Sequence, residues 1–364
     1  MTPVARIVIM AGGTGGHVFP ALALARILRS ESYEVVWLGT RRGLEARVVP
    51  AESIAIEWLS IGGLRGKGLA TLLAAPFRLL FALWQAMQIM RKHQPAVVVG
   101  LGGFVTGPGG VAAWLLRRPL IIHEQNAVAG FTNRCLARLA RKVLVAFPGS
   151  FGSQVVTQVI GNPVRQEILA TPPPAERFAS RRGAIRVLVV GGSQGATRLN
   201  TVVPFAIAQA TAAGLTFDVR HQAGERWLES ARDAYRRAAV TAVIVPFIED
   251  MAAAYADADL VICRAGALTI SELAAVGVGA VLVPFPAAVD DHQTRNAEYL
   301  VREGGGVLIA DRELTAERLA AELQRLCAGR GKLLALAERA RLLARPNAAI
   351  ELAAACRPYL RDAA

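Results

Sequence analysis

The sequence contains two successive sets of short apolar runs, rich in valine and isoleucine, that alternate with helical segments. The first set is ARIVIM (5–10), EVVWLG (34–39), AVVVGL (96–101), LIIHE (120–124) and KVLVAF (142–147). The second set is IRVLVVG (185–191), TFDVR (216–220), AVIVPF (242–247), LVIC (260–263) and AVLVPF (280–285). Continuous apolar strands separated by helices indicate parallel sheets covered on both faces. The pattern therefore predicts two doubly wound α/β domains.

A proline- and arginine-rich segment, TPPPAERFASRRG (171–183), separates the two sets. We place the first domain at residues 1–163, the second at 164–345, and a last helix at 346–364 that packs back on the first domain. A chain of 364 residues is long enough for two domains that each bury a core. Ligands of such sheets bind at the carboxyl ends of the strands, so we expect the site in a cleft between the domains.

Composition excludes several other classes of protein. A hydrophobic fraction of 53% excludes disorder, and the absence of a short-period repeat or heptads excludes solenoids and coiled coils. The four cysteines are widely spaced and form no CxxC pair, which is typical of a reducing compartment. The apolar run at the N-terminus is too short and too weakly basic for a signal peptide. A cytoplasmic protein is expected.

Positive charge is concentrated in the first half of the chain. The formal net charge is +13, and residues 1–162 carry 17 basic and 6 acidic side chains. Between Glu57 and Glu124 there are seven basic residues and no carboxylate. A field of one sign favours an anionic partner, which could be nucleic acid, acidic lipid or a phosphorylated substrate. The alternative is that an arginine-rich composition has no functional meaning.

The segment 68–92 has apolar residues at helical spacing, but its longest uncharged run, 79–90, is too short to span a membrane. One interpretation is a helix buried between the sheet and its neighbours. The other is that the front of the segment rests on an anionic bilayer surface. The residues predicted to contact the bilayer are Ile61, Leu64, Arg65, Lys67, Leu69, Leu72, Leu73, Phe77, Arg78 and Trp84.

Three glycine-rich turns follow predicted strands: AGGTGGH (11–17), GLGGFVTGPGG (100–110) and GGSQGA (191–196). Glycines let the backbone approach a phosphate closely and turn its amides toward it. The first turn has neither the GxGxxG spacing nor the lysine of a GxxxxGK[ST] loop. Three such turns predict substrates rich in phosphate oxygens, although a turn needed for packing alone is the alternative for the first.

Two residues are candidates for a catalytic base. His17 follows the first glycine turn, and an imidazole with its ordinary pKa of about 6.5 suits proton transfer at neutral pH. Glu124 belongs to HEQN (123–126) at a strand end, where His123 and Asn126 are also expected to face the cleft. An isolated carboxylate in a basic field is either part of the scaffold or functional.

The second domain holds a dense polar block, CRAGALTISELAAVG (263–277) followed by VPFPAAVDDHQTRNAEYL (283–300). Glu272, close to a helix start, suits the two hydroxyls of a ribose. The polar residues suited to the hydroxyls of a sugar are Asp290, Asp291, His292, Gln293 and Asn296. Asp257 and Asp259 form a DxD that precedes a strand, which favours an ordinary helix-to-strand turn over a metal site. No metal and no cofactor are predicted.

In chain order, GGTGGH, HEQN, GNPVR (161–165), GGSQGA, RAGALTISE (264–272) and DDHQxxNA (290–297) resemble the MurG family of bacterial N-acetylglucosaminyltransferases. The resemblance covers essentially the whole chain. It implies a GT-B fold of two Rossmann-like domains and an inverting transfer of GlcNAc from UDP-GlcNAc to O4 of the MurNAc of lipid I. It also implies peptidoglycan synthesis at the cytoplasmic face of the inner membrane, with other cell-wall synthesis proteins as partners and no nucleic acid.

The resemblance also assigns residues. Donor contacts are implied for Thr14, Gly15, Gly16, Asn126, Arg165, Ser193, Ile248, Arg264, Ala267, Leu268, Thr269, Ile270, Ser271, Glu272, His292, Gln293 and Asn296. Contacts with the acceptor diphosphate are implied for Gly13, Thr14, Gly15, Gly16, His17, Gly102 and Gly103. His292 and Gln293 stand where some relatives have two glutamines, so which of them contacts the sugar stays open.

An inverting transfer needs a base on the acceptor hydroxyl and stabilisation of the departing UDP. Helix dipoles together with Arg264 can supply the stabilisation. Two alternatives remain, namely a UDP-GlcNAc 2-epimerase and a non-catalytic binder of anionic lipid or nucleic acid. The acid-free apolar segment 58–95 argues against an epimerase, and a simple binder leaves the polar block at 264–296 unexplained.

Overall fold

The computed structural model describes residues 5–62, 74–191 and 196–361. The chain divides into two compact units, Met1–Arg165 with Pro346–Ala364 and Gln166–Arg345, here called the first and second unit. The division falls two residues beyond the predicted one. The proline- and arginine-rich segment 171–183 is part of the packed second unit.

The first unit is built on a sheet of seven parallel strands in the order β3-β2-β1-β4-β5-β6-β7. The strands are β1 (Arg6–Ala11), β2 (Glu34–Gly39), β3 (Ala55–Trp58), β4 (Val97–Gly102), β5 (Leu120–Glu124), β6 (Lys142–Val145) and β7 (Gln158–Val159). The helices of this unit are α1 (Gly15–Ser30), α2 (Glu45–Ala51), α3 (Ala75–His93), α4 (Thr106–Leu115), α5 (Phe131–Leu136) and, near the C-terminus, α15 (Ala348–Arg361).

The central strand β1 explains why both faces of this sheet are covered. Ile7 and Ile9 belong to a buried cluster that includes side chains of α1 and α15. Val8 and Met10, which alternate with them, belong to a second cluster that includes side chains of α3 and α4. An uninterrupted apolar run is therefore required, because successive side chains of a strand point to opposite faces.

The second unit has six parallel strands in the order β10-β9-β8-β11-β12-β13. They are β8 (Ile185–Val190), β9 (Phe217–Gln222), β10 (Val243–Val245), β11 (Leu260–Cys263), β12 (Gly279–Leu282) and β13 (Gly306–Leu308). Its helices are α6 (Gln166–Leu169), α7 (Pro174–Ala179), α8 (Thr197–Ala212), α9 (Leu228–Arg237), α10 (Met251–Asp257), α11 (Ala267–Val276), α12 (His292–Arg302), α13 (Ala316–Cys327) and α14 (Arg330–Arg341).

The prediction of two doubly wound parallel sheets is confirmed, and each of the ten predicted strands is found within two residues of its start. The sequence pattern missed β3, β7 and β13. All three lie at sheet edges, and they contain four, two and three residues. In the described part of the chain, no helix has the length and apolar character needed to cross a membrane.

Candidate active site

The first glycine turn connects β1 to α1 at the carboxyl end of the central strand. Gly13 has φ of +92°, a conformation that glycine adopts without strain. Thr14 is the N-cap residue of α1, and its carbonyl accepts the N–H of His17 at 3.1 Å. The amides of Gly15 and Gly16 precede this first helical bond, where N–H groups have no partner within the helix. The turn therefore favours an anion.

His17 is half-buried in the first turn of α1. Its Nδ1 lies 3.2 Å from the carbonyl oxygen of Gly12. Because a carbonyl can only accept, this contact requires the proton on Nδ1, and Nε2 of the neutral ring is then an acceptor. An acceptor nitrogen beside an anion-binding turn is suited to take a proton from a substrate hydroxyl.

The turn after β4 packs directly against the first glycine turn. Gly102 has φ of +110°, and a Cβ at this position would lie 2.6 Å from Cδ2 of His17. A Cβ on Gly103 would overlap the carbonyl oxygen of Gly12. The hydroxyl of Thr106 donates to the carbonyl of Gly102 at 2.8 Å and fixes the turn. The structure thus brings together residues of two motifs that are about 90 positions apart.

The fully buried carboxylate of Glu45 holds the first glycine turn from behind. Its Oε2 accepts the N–H of Gly13 at 2.9 Å, and its Oε1 accepts the N–H and hydroxyl of Thr40 at 2.9 and 2.7 Å. The Gly13 carbonyl accepts the N–H of Leu44 at 3.2 Å. Sequence reasoning missed Glu45, and it assigned Gly13 to the acceptor diphosphate. The Gly13 N–H donates to Glu45 instead.

A cavity of about 680 Å³ opens beside this turn within the first unit. Its lining combines polar, cationic and apolar groups: Gly13, Thr14, Thr40, Arg41, Arg42, Gly43, Trp58, Leu59, Ser60, Ile61, Gly62, Arg78, Leu79 and Phe104. The guanidinium of Arg41 lies 5.2 Å from the centre of the Trp58 ring. Three arginines at the edge of an amide-rich turn produce a field that attracts phosphate.

His123, at the end of β5, is fully buried, although the sequence suggested that it faces a cleft. Its Nε2 lies 2.9 Å from the carbonyl oxygen of Gly161. The side-chain amide of Gln125 lies 3.2 Å from its Nδ1 and donates to the Leu101 carbonyl at 2.6 Å. Burial lowers the pKa of His123 to about 4, so the ring is neutral at physiological pH. His123 ties neighbouring strand ends together.

Glu124 is 3% exposed, and both of its oxygens accept hydrogen bonds from the loop that follows β5 or from the start of α5. Oε1 accepts the backbone N–H of Asn126 at 2.9 Å and its side-chain amide at 3.2 Å. Oε2 accepts the N–H of Gly130 at 3.1 Å and the amide of Asn133 at 2.8 Å. This geometry is that of a carboxylate that shapes the loop before α5.

In the second unit, Glu272 is buried in α11 and accepts the hydroxyl of Tyr255 at 3.2 Å. Ile248 is also buried, and its N–H donates to the side-chain oxygen of Gln222 at the end of β9, at 2.9 Å. The hydrogen bond from Tyr255 orients the Glu272 carboxylate, and a carboxylate is suited to accept hydrogen bonds from the hydroxyl groups of a ribose.

Arg264 follows β11 and is largely buried. One guanidinium nitrogen, Nη1, donates to the carbonyls of Val283 and Pro284, both at 3.1 Å, and to Asp311 at 2.6 Å. The guanidinium also lies 5.6 Å from the centre of the Phe285 ring. This charge is therefore fixed in orientation beside the start of α11.

The residues 267–272 form the first turns of α11. The first helical hydrogen bond runs from the N–H of Ile270 to the carbonyl of Gly266, at 2.9 Å. The amides of Ala267, Leu268 and Thr269 precede it, which gives an anion-binding helix start. Ile270 itself is fully buried with its N–H inside the helix, so it packs the helix.

Three of the predicted sugar-binding residues surround the start of α12. Gln293 accepts the N–H of Phe285 at 2.9 Å, and the buried amide of Asn296 donates to the Ala265 carbonyl at 3.2 Å. Asn296 and Gln293 thus shape two turns, while His292 is half-buried at the first position of the helix. Asp290 and Asp291 have φ of +54° and +51°, which is strained for non-glycine residues.

The other predicted residues are placed as follows. Asn126 contacts Glu124 as described, and the guanidinium of Arg165 lies 5.8 Å from the centre of the Phe19 ring at the start of α1. Ser193 lies outside the described residues. Asp257 ends α10 and Asp259 precedes β11, as predicted for a turn.

The helix α3 has one buried and one exposed apolar face. Ala82, Ala86, Ile89 and Met90 are buried against the sheet. On the other face Phe77 is 76% and Trp84 52% exposed. Arg78 is exposed and Ile61 half-buried. The other predicted bilayer contacts, Leu64, Arg65, Lys67, Leu69, Leu72 and Leu73, lie outside the described residues.

Comparison with known proteins identifies two family models that match this chain. Residues 7–145 match the glycosyltransferase family 28 N-terminal domain, and residues 186–352 match the corresponding C-terminal domain. A protein of Alkalilimnicola ehrlichii is 58% identical over 350 residues, which are 96% of this chain and 98% of that protein. Its name is UDP-N-acetylglucosamine–N-acetylmuramyl-(pentapeptide) pyrophosphoryl-undecaprenol N-acetylglucosamine transferase.

Two solved structures illustrate what is specific to the family and what is common to the fold. The crystal structure of Acinetobacter baumannii MurG is 41% identical, with a TM-score of 0.85, and covers 97% of this chain and 99% of that one. A putative UDP-N-acetylglucosamine 2-epimerase of Listeria monocytogenes is 12% identical, with a TM-score of 0.68, over 99% and 98% of the two chains. The second likeness shows the fold alone. The chain belongs to the MurG family of N-acetylglucosamine transferases, within glycosyltransferase family 28.

Proposed function

We propose that this enzyme transfers N-acetylglucosamine from UDP-GlcNAc to O4 of the muramoyl sugar of a pentapeptide carried on undecaprenyl diphosphate, which forms lipid II. The observation that carries the proposal is the 58% identity, over 96% of the chain, to a transferase of that name. The product bond is β-1,4 and the donor is α-linked, so the transfer is a single displacement with inversion.

His17 is the base that deprotonates the acceptor hydroxyl. The contact of its Nδ1 with the Gly12 carbonyl leaves Nε2 as the acceptor, and Gly102 packs against the ring and restricts its orientation. Glu124, the rival base in the sequence, is 3% exposed, and its oxygens accept three hydrogen bonds from the loop that follows β5 and one from Asn133 of α5. His17 is therefore the better-supported choice.

The acceptor diphosphate binds the first glycine turn. The amides of Gly15 and Gly16 at the start of α1 supply donors, and the Thr14 hydroxyl adds another. The adjoining cavity adds the cations of Arg41, Arg42 and Arg78. Gly102 and Gly103 support the turn by close backbone packing, while the Gly13 N–H is directed inward to Glu45.

The donor binds the second unit, and we therefore assign Thr14, Gly15 and Gly16, for which the resemblance implies contacts with both substrates, to the acceptor. Glu272 accepts the ribose hydroxyls, and the N-terminal amides of α11 together with Arg264 stabilise the negative charge that develops on UDP. The residues at the start of α12 contact the sugar, with His292 the half-buried member of the group. These elements supply the donor side of an inverting mechanism.

The exposed apolar face of α3 rests on the anionic surface of the bilayer that carries the acceptor. Phe77, Leu80 and Trp84 are 76%, 63% and 52% exposed, and the ring of Phe81 stacks on that of Trp84 with centroids 5.8 Å apart. Exposed aromatic and cationic side chains on one helix are typical of interfacial helices. The enzyme therefore acts peripherally, at the cytoplasmic face of the membrane.

Incubation of the protein with UDP-GlcNAc, with and without a lipid I analogue, tests the proposal. Release of UDP that depends on the acceptor, together with formation of the disaccharide, is the expected result. Conversion of UDP-GlcNAc to a 2-epimeric sugar product without acceptor would indicate an epimerase. No consumption of UDP-GlcNAc under either condition would indicate a non-catalytic binder.

A further inference from the structure

A carboxylate without solvent contact lies directly behind the turn to which we assign the acceptor diphosphate. Glu45 is the first residue of α2, and its side chain reaches back under the β1–α1 turn. Its three donors are the Gly13 N–H, the Thr40 N–H and the Thr40 hydroxyl, at 2.7–2.9 Å. Because the two N–H groups can only donate, both side-chain oxygens of residue 45 have to be hydrogen-bond acceptors.

Three glycines lie against this carboxylate, at positions where a side chain would collide with it. A Cβ on Gly12 would lie 2.7 Å from Oε1 of Glu45, and a Cβ on Gly39 would lie 2.8 Å from its Cγ. A Cβ on Gly43 would overlap the carboxylate itself. Glycines from two separate loops thus leave the space that one acidic side chain fills.

Glu45 and its neighbour fix both polar groups of Gly13. The N–H donates to Glu45, and the carbonyl accepts the N–H of Leu44. Gly13 is held in its left-handed conformation, and the preceding carbonyl, that of Gly12, faces Nδ1 of His17. One buried carboxylate therefore determines where the amides of the turn point and where the His17 ring is oriented.

We propose that Glu45 is a positioning residue for the transfer reaction, which acts through the Gly12–Gly13 backbone on the diphosphate-binding amides and on the imidazole of His17. The inference rests on the proposed function only in assigning acceptor and base to this turn. A shift of about 1 Å in a catalytic arrangement can lower a rate by about 100-fold.

The principal test replaces Glu45 by Gln, which keeps the shape but sets an amide NH2 against an N–H donor. The matched control is Glu52→Gln, since Glu52 follows α2, is partly exposed and pairs with Arg26 at 2.5 Å. We expect Glu45→Gln to lower kcat/KM for the lipid-linked acceptor by about 10- to 100-fold. The Kd for UDP alone, which binds the second unit, should equal that of the wild type.

A second variant, Thr40→Val, keeps the proposal falsifiable if Glu45→Gln does not fold. It removes only the hydroxyl donor at 2.7 Å, so a loss of about tenfold in the same parameter is expected. Hydrogen exchange of the peptide 11–17 without ligand gives a readout that does not need turnover. Exchange should be faster in Glu45→Gln and Thr40→Val, and unchanged in Glu52→Gln.

Two results would overturn the proposal. In the first, both variants have wild-type kcat and KM per folded enzyme. In the second, the affinity for UDP and the exchange protection of the second unit fall together with activity, which is the behaviour of general destabilisation. If the wild type transfers no GlcNAc, the proposed function fails, while the exchange experiment still decides whether Glu45 holds the turn.

Discussion

The two units share a doubly wound architecture, but the turns that follow β1 in the first and β12 in the second are held by side chains of opposite charge. In the first unit, buried carboxylates accept backbone N–H groups, with Glu45 bound to Gly13 and Glu124 bound to Gly130. In the second, partly buried guanidiniums donate to backbone carbonyls, with Arg264 bound to Val283 and Arg177 bound to the residues that end α11. The same fold therefore leaves different backbone groups to be satisfied.

The difference follows from which part of the backbone each loop turns inward. The glycine turn of the first unit directs an N–H into the protein, and only an acceptor satisfies it. The second unit directs carbonyls inward at the end of β12 and at the C-terminus of α11, where cations also complement the helix dipole. We infer a division of tasks in which the first unit supplies the base and acceptor site and the second unit binds UDP.

The largest expected effect is that of His17→Ala. Removal of the proposed base should lower kcat by about 10²- to 10⁴-fold and leave the Kd for UDP unchanged, because we assign UDP to the second unit. Steady-state kinetics and calorimetric titration with UDP measure the two quantities. The variant His93→Ala serves as control, since His93 pairs with Glu57 away from the turn. A normal kcat with weakened UDP binding would contradict the inferred division of tasks between the two units.

Arg264→Met should have the complementary effect. Loss of the guanidinium removes the 2.6 Å ion pair of Asp311, leaves it with Arg198 at 3.8 Å, and removes positive charge beside α11. UDP should therefore bind about 10- to 100-fold more weakly. The control is Arg236→Met, an exposed position on α9. Titration with UDP measures the affinity. Unchanged affinity would mean that Arg264 acts only on the backbone of its own unit.

Glu124→Gln tests whether Glu124 is a structural carboxylate of the first unit or a catalytic one. The amide would face donors of Asn126 or Gly130, so we expect a loss of about 1–3 kcal/mol in the free energy of unfolding. The rate per folded enzyme should stay within about threefold of the wild type, far less than the effect of losing a catalytic base. Chemical denaturation and kinetics test this. A loss of several orders of magnitude in kcat would make Glu124 the base.

The smallest expected effect is on stability at low pH, and it concerns one buried histidine in each unit. Burial lowers the pKa of His123 to about 4 and that of His221 to about 3. Each depressed pKa gives stability that is complete above about pH 6.5, the unfolded value, and is lost as the pH falls toward the folded value. Both histidines should therefore contribute to the acid sensitivity of the protein.

Denaturation of His123→Gln and His221→Gln between pH 7 and pH 4 measures that contribution. Both variants should show a flatter dependence of unfolding free energy on pH than the wild type. His221 is suited to this test because its ring is held between Tyr235 and Asn200, at 2.9 and 3.0 Å. Equal slopes in all three proteins would contradict the assigned burial effect.

The sequence predicts a strand correctly where burial on both faces requires a long run of apolar residues. The strands β1 and β4 are apolar at successive positions because both faces are covered, so their runs of valine and isoleucine are diagnostic. The edge strand β7 has two residues, Gln158 and Val159, and leaves no such pattern. Local composition therefore predicts central strands well and edge strands poorly.

The site divides in the same way. The glycine turns and His17 could be found because their residue types carry the chemistry within one short segment. Glu45 could not, since its partner Gly13 is 32 positions away and the contact exists only when β1 and β2 lie side by side. The role of Glu124 stays open in the sequence for the same reason, because the donors around it come from a loop and from the start of α5, whose paths the sequence does not specify.

Hydrogen exchange with and without saturating UDP tests the division of tasks most directly. Added protection should appear at the start of α11, in peptides that include Arg264 and Glu272, while the peptide 11–17 of the first unit exchanges as before. Protection of 11–17 without any change around Arg264 and Glu272 would contradict the account.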